Sequence, residues 1–186
     1  MHSQKIIRDH LTFRIILAAM SHPGKIYRLP EFENEETAVV ELLRCLLDNE
    51  VGVAVVGDPA LESDLLRDTG CRLVSCEEAD FIIIGHLADS ASLSGCKVGS
   101  LEYPDGGATI LYLVDGLSKG DGGIVLSGPG VDDKISLWIS GLGSGELSRL
   151  QDLNREFPLG VDAMFFVRRR NGRIACIPRS SQMKVN

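Results

Sequence analysis

The apolar positions change rhythm along the chain. Between residues 4 and 20 they recur at helical spacing, with Ile6, Phe13, Ile16, Leu17 and Met20 on one face and Lys5, Arg8, Asp9 and Thr12 off it. That spacing predicts an amphipathic helix, with His10 beside the stripe as a packed, hydrogen-bonded residue. Ser21-His22-Pro23-Gly24 stops it, because proline cannot continue a helix and glycine supplies a turn. Residues 25–30 read as a short extended segment. Val39, Leu42, Leu43 and Leu46 give a second helical stripe, with Asn34 as the predicted N-cap and Glu35 and Glu36 in the first turn.

Residues 51–56 form a short run that is apolar on both faces, as a central strand covered on two sides requires. Asp58-Pro59 predicts a third helix, aspartate at the N-cap and proline at the first helical position, and Gly70 closes it. Short strands follow at 72–74 and 81–84. This half is β-α-β in character, which implies parallel pairing. Residues 85–107 are rich in Gly, Ser and Asp and read as a long connection with one short helix at most. Three strands at 108–114, 124–127 and 135–140 then follow turns too short for crossover helices, so they pair antiparallel or step between sheet positions. A helix over 144–156 leads into the most strongly signalled stretch, 157–181. There Asn171-Gly172 divides two apolar runs, a strong hairpin signal, since a type I′ turn needs positive φ at both central residues. The whole predicts one domain over residues 1–186: an α/β fold, a three-layer α/β/α sandwich with a mixed sheet.

Charge changes this picture little. Nineteen basic against 26 acidic residues give a net charge of −7, which argues against a nucleic-acid scaffold. The charged residues inside the first apolar run make it neither a signal peptide nor a membrane span. Five cysteines without a CxxC pair, three of them (Cys45, Cys71 and Cys176) within apolar patterns, point to reduced structural thiols in a cytoplasmic protein.

Candidate chemistry is sparse. Gly141-Leu142-Gly143-Ser144-Gly145 lies between a strand and a helix, where free backbone N–H groups can hold a phosphate. It matches neither GxGxxG nor GxxxxGK[ST], so the plainer reading is a turn with Ser144 as N-cap. Ser127-Gly128-Pro129-Gly130 before Asp132-Asp133 reads as a tight solvated turn, the two carboxylates being too few for a magnesium site. The four histidines show no metal spacing, and no GxSxG elbow or Schiff-base lysine stands out. Residues 157–186 hold Arg168, Arg169, Arg170, Arg173, Arg179 and Lys184 against the single acid Asp162. Three arginines at a hairpin tip read as a solubilising edge device. Arg179, after Pro178 at a strand end, is the better candidate for anion recognition through its fork, and Asp162 at a strand start needs a partner.

Five stretches, in order, resemble one family. They are Ala18-Ala19-Met20-Ser21-His22-Pro23-Gly24, Tyr103-Pro104-Asp105-Gly106-Gly107-Ala108-Thr109, Leu126-Ser127-Gly128-Pro129-Gly130-Val131, Phe157-Pro158-Leu159-Gly160-Val161-Asp162 and Ile177-Pro178-Arg179-Ser180-Ser181. Together they resemble the H-subunit (PhnH) family of the bacterial carbon–phosphorus lyase system, over about residues 10–181. The departure from its pattern is Ser180-Ser181, where Thr-Thr is common, with the polar Gln182-Met183-Lys184 ending. The resemblance implies a fold related to the large domain of type I pyridoxal-phosphate-dependent transferases, with no pyridoxal phosphate bound. It implies a homodimer in isolation, and a core complex with the G, I and J subunits. With the G, I and L proteins the family is needed to attach a phosphonate to the ribose of ATP, releasing adenine. Two roles stay open. One is an auxiliary subunit without its own catalysis. The other is a nucleotide or phosphonate pocket with Arg179, Ser144, Gly128, Gly130, Gly141, Gly143 and Asp162 as contacts. A stand-alone α/β nucleotide- or phosphate-ligand-binding enzyme is the alternative from another class.

Overall fold

The structure, a computed structural model, describes residues 2–85, 93, 95–169 and 172–185, with only the backbone of residues 2, 3, 121 and 122. Its strands in chain order are β1 (Tyr27–Arg28), β2 (Gly52–Val56), β3 (Arg72–Leu73), β4 (Phe81–Ile84), β5 (Thr109–Val114), β6 (Gly116–Ser127), β7 (Ile135–Ser140), β8 (Asp162–Val167), β9 (Arg173–Ile177) and β10 (Gln182–Val185). The helices are α1 (His2–Ser21), α2 (Ala38–Leu43), α3 (Pro59–Thr69) and α4 (Glu146–Leu153).

Seven strands form one mixed sheet in the order β1-β9-β8-β5-β4-β2-β3. The run from β3 to β8 is parallel, and β9 and β1 add antiparallel pairs at one edge. Its central strands are apolar on both faces because each face carries a core. Ile83, Leu111, Leu113, Met164 and Phe166 point toward α1, α2 and α3. The alternate residues Ile82, Ile110, Tyr112, Ala163 and Phe165 point the other way. Tyr112 stacks on Phe165 at 5.1 Å between ring centroids, and Phe32 meets Phe166 edge-on across the helical side.

That second face corrects the expected α/β/α sandwich. Its cover is a separate antiparallel sheet, β10-β6-β7, together with α4. β6 starts well before the predicted 124, because its glycine-rich middle is bulged and both Lys119 and Ile124 pair with Leu137. β10 was concealed in the ending read as polar. Met183 and Val185 turn inward while Gln182 and Lys184 face out, a period-2 pattern only four residues long.

Two helices also differ from expectation. The predicted buried stripe of α1 is largely outside, with Ile6 58%, Phe13 39% and Leu17 50% exposed, while Thr12, Ile16 and Ala19 are buried. The helix is apolar on more than one side, so spacing alone does not choose its rotation. Ion pairs do: Arg8 reaches buried Glu41 at 2.9 Å and Arg44 reaches Asp9 at 2.5 Å, drawing residues read as polar onto α2. Asn34 accepts the Thr37 N–H at 2.8 Å and so caps a turn ahead of α2 rather than the helix itself. α3 fits its signals: Asp58 Oδ1 accepts the Leu61 N–H at 3.1 Å, and Gly70 closes the helix at φ 71°. The long connection contains a 3₁₀ turn at Pro104–Gly106.

Candidate functional site

The β8–β9 ladder pairs Ala163 with Ile177, which brings the residues just outside it, Asp162 and Arg179, side by side. Asp162 Oδ1 accepts the backbone N–H of Arg179 at 2.9 Å and its Nε at 3.3 Å, and Oδ2 accepts Nη2 at 2.7 Å. The rest of the fork turns to the 3₁₀ turn. Nη1 donates to the Pro104 carbonyl, and Nη2 to that of Gly107 at 3.4 Å. Four of the five guanidinium N–H groups therefore act within the chain. Both side chains are largely buried, at 12% and 26% exposure, so the pairing is both geometrically specific and shielded from screening.

The neighbouring backbone is built around this pair. A Cβ on Gly107 would lie 2.3 Å from the Gly160 carbonyl and 2.5 Å from Arg179 Nη1, so no side chain fits there. The Gly160 N–H donates to Val98 at 2.8 Å, and the Asn154 side chain clamps Val161 by accepting its N–H at 2.7 Å and donating to its carbonyl at 3.0 Å. On the other side Gly130, at φ 78°, packs on the end of α1; a Cβ there would sit 2.3 Å from the Ser21 carbonyl. Residues from α1 (Leu17, Met20, Ser21), the β6–β7 turn (Gly130), β8 (Asp162) and the β9–β10 turn (Ser180) line an open cleft of about 440 Å³. Four of the five sequence stretches contribute to its lining, and the other, residues 103–109, meets Arg179 through the Pro104 and Gly107 carbonyls.

Of the residues singled out in the sequence, the structure brings Gly128, Gly130, Asp162 and Arg179 together here. Gly128 lies against the Ser180 carbonyl. The others are elsewhere. Gly141 and Gly143 line a different groove of about 420 Å³ beside half-exposed Trp138. Ser144 does not cap α4. Gly145 holds the N-cap position in the left-handed region, with no side-chain cap, and the loop is glycine-rich because a Cβ on Gly141 would lie 2.7 Å from the Asp115 nitrogen. Sequence reasoning missed the Pro104 and Gly107 carbonyls and the Asn154 clamp. The available signal was glycine at 107 and 160, where a close backbone approach leaves no room for Cβ.

The arginine run is also more than an edge device. Arg168 donates Nη1 to Asp58 and Nε and Nη2 to the Glu35 and Glu36 carbonyls, each at 3.3 Å. The β8–β9 ladder is described as far as Val167 and Arg173; Arg170 and Asn171, and with them the predicted Asn171-Gly172 turn, fall outside the described residues. The cysteines are free thiols. Burial pushes the Cys45 thiol up to about 11, and burial with Asp162 nearby raises Cys176, so neither carries thiolate character at neutral pH. Among the described residues no group of three or more His, Cys, Asp or Glu is placed to hold a metal ion, and no helix is long and apolar enough to cross a membrane.

Comparison with known proteins decides the family. Residues 2–184 match the family described as "Bacterial phosphonate metabolism protein (PhnH)". The chain belongs to the PhnH family. A relative from Stutzerimonas stutzeri, named "Putative C-P lyase subunit protein HtxG", is 33% identical over 182 residues, 96% of this chain and 87% of the relative. The PhnH match spans the five stretches and every residue named in the lining of the cleft.

Proposed function

We propose that this chain is the H-type subunit of a bacterial carbon–phosphorus lyase core complex, a single domain that supports its partners' active sites and catalyses no step itself. It works with the G, I and L proteins in moving the ribose triphosphate moiety of ATP onto a phosphonate with release of adenine, in the cytoplasm and without pyridoxal phosphate. It is a homodimer alone and joins the G, I and J subunits in the complex. Membership of PhnH and the name of the HtxG relative support the assignment. The observation that carries the auxiliary role is the state of Arg179: the best anion-binding candidate in the sequence has four of its five N–H groups engaged within the chain. The exposed apolar side of α1, with Ile6, Phe13 and the cleft-lining Leu17, supplies the kind of surface a partner covers.

Co-purification tests this. A tagged chain co-expressed with the G, I and J subunits should elute with all three. A chain that stays separate from every one of them would overturn the assignment.

A further inference from the structure

The turn between β3 and β4 and the end of the long connection are held together, and each carries a cysteine. The turn is closed by the Glu78 N–H on the Ser75 carbonyl at 3.1 Å, with Cys76 inside it. In the connection the Cys96 N–H donates to the Leu93 carbonyl at 3.1 Å. Contacts at the neighbours of both cysteines join the segments. A Cβ on Gly95 would lie 3.1 Å from Glu77 Cγ, so the residue before Cys96 meets the residue after Cys76. On the other side of Cys96, Lys97 places Nζ 2.6 Å from Asp80 Oδ1. Asp80 also accepts the Gly52 N–H at 2.8 Å, which ties this contact to β2.

The large sheet sorts the cysteines. Cys45, Cys71 and Cys176 pack into the core on the helical side, while Cys76 and Cys96 belong to the core on the opposite face. Cys71 is therefore cut off from Cys76 despite being five residues away in sequence. Cys96 is buried and Cys76 half-buried, so solvent reaches the pair through Cys76. Burial, and then the nearby Cys76, push the Cys96 thiol above its ordinary range, so the two sulfurs lie within electrostatic reach of each other. A disulfide needs two backbones held close, and the Gly95 and Lys97 contacts do that without it.

We propose that Cys76 and Cys96 are a reversible redox pair, joined by a disulfide when a peroxide reaches the half-buried thiol. The Cys76 thiolate attacks one oxygen of hydrogen peroxide, the O–O bond breaks, and the departing hydroxide takes a proton to leave as water. The Cys96 sulfur, giving up its proton, then attacks the Cys76 sulfenic acid and expels its hydroxyl as a second water. Two thiols are oxidised and one peroxide is reduced. The link staples the β3–β4 turn to the segment carrying Val98, whose carbonyl accepts the Gly160 N–H beside the Arg179 junction. The pair stands on this geometry and does not rest on the complex-subunit reading.

Peroxide treatment of the folded full chain, followed by thiol blocking and mass spectrometry, tests this. Trypsin with a glutamate-specific protease cuts at Arg72, Glu77, Glu78 and Lys97, so each cysteine of the pair falls in its own peptide. The two peptides should be recovered joined, from a chain that still runs as one unit on a non-reducing gel. Two of the five thiols should be lost and should return with dithiothreitol. Cys76→Ser should form no disulfide, while Cys45→Ser should still form the same one. Peptides that stay separate, a link between two chains, or Cys76 joined to Cys71 instead would overturn the proposal.

Discussion

Arg179 and Arg169 bracket the same hairpin and do opposite things. At its base, Arg179 binds one carboxylate through three N–H groups and two carbonyls of a distant turn. At its tip, Arg169 meets solvent and a cleft. The base is surrounded by glycines with no space for a side chain, while Arg169 is exposed. The difference teaches where sequence motifs point. The motif residues are dense where backbones must touch, and such places are architecture. Ligand chemistry needs an unengaged donor and room beside it, which the motifs do not mark.

The largest expected effect tests the filled side of that contrast. Gly107→Ala forces a methyl group onto the Gly160 carbonyl and Arg179 Nη1, and should destabilise the chain by more than about 3 kcal/mol in denaturant unfolding. Gly145→Ala is the matched control. It meets nothing within 4 Å and carries only the strain of its left-handed backbone, about 1 kcal/mol. Equal losses for the two would remove the distinction between a packed junction and an ordinary turn.

A smaller effect comes from a pair away from both regions. Burial alone would raise the Asp80 carboxyl, but Lys97 Nζ at 2.6 Å and the Gly52 N–H at 2.8 Å together outweigh it and hold the group below the usual carboxylate range. A depressed carboxylate contributes stability above its unfolded pKa, about 4, and loses it as pH falls through the folded value. Lys97→Met should therefore cost less than about 1 kcal/mol at neutral pH, both side chains being partly exposed. The difference from wild type should vanish in acid. A difference that persists below that window would assign Lys97 some other role.

Much of the large sheet was legible, because buried parallel strands announce themselves as short runs apolar on both faces, as at 51–56 and 81–84. Asp58, Pro59 and Gly70 bounded α3 because capping is local chemistry. The second sheet was not legible. The bulged glycines of β6 look like a turn, and four residues of β10 are too few to show a period. The rotation of α1 was hidden for another reason: it is set by Glu41 and Arg44, which lie on a different helix. At the candidate site, Asp162 and Arg179 were each visible as residues needing partners. That they satisfy each other depends on hairpin register, and the engagement of the fork by Pro104 and Gly107 depends on a turn far away in sequence.

The central claim is that Arg179 is an architectural residue paired with Asp162. A double-mutant cycle of Arg179→Met and Asp162→Asn, read by denaturant unfolding, tests it most directly. Each single change should leave its partner uncompensated and cost about 3 kcal/mol, and the double variant should be scarcely worse than either, a coupling of about 2 kcal/mol or more. Single variants as stable as wild type, with no coupling between them, would contradict the account and return Arg179 to the pool of groups free to bind a ligand.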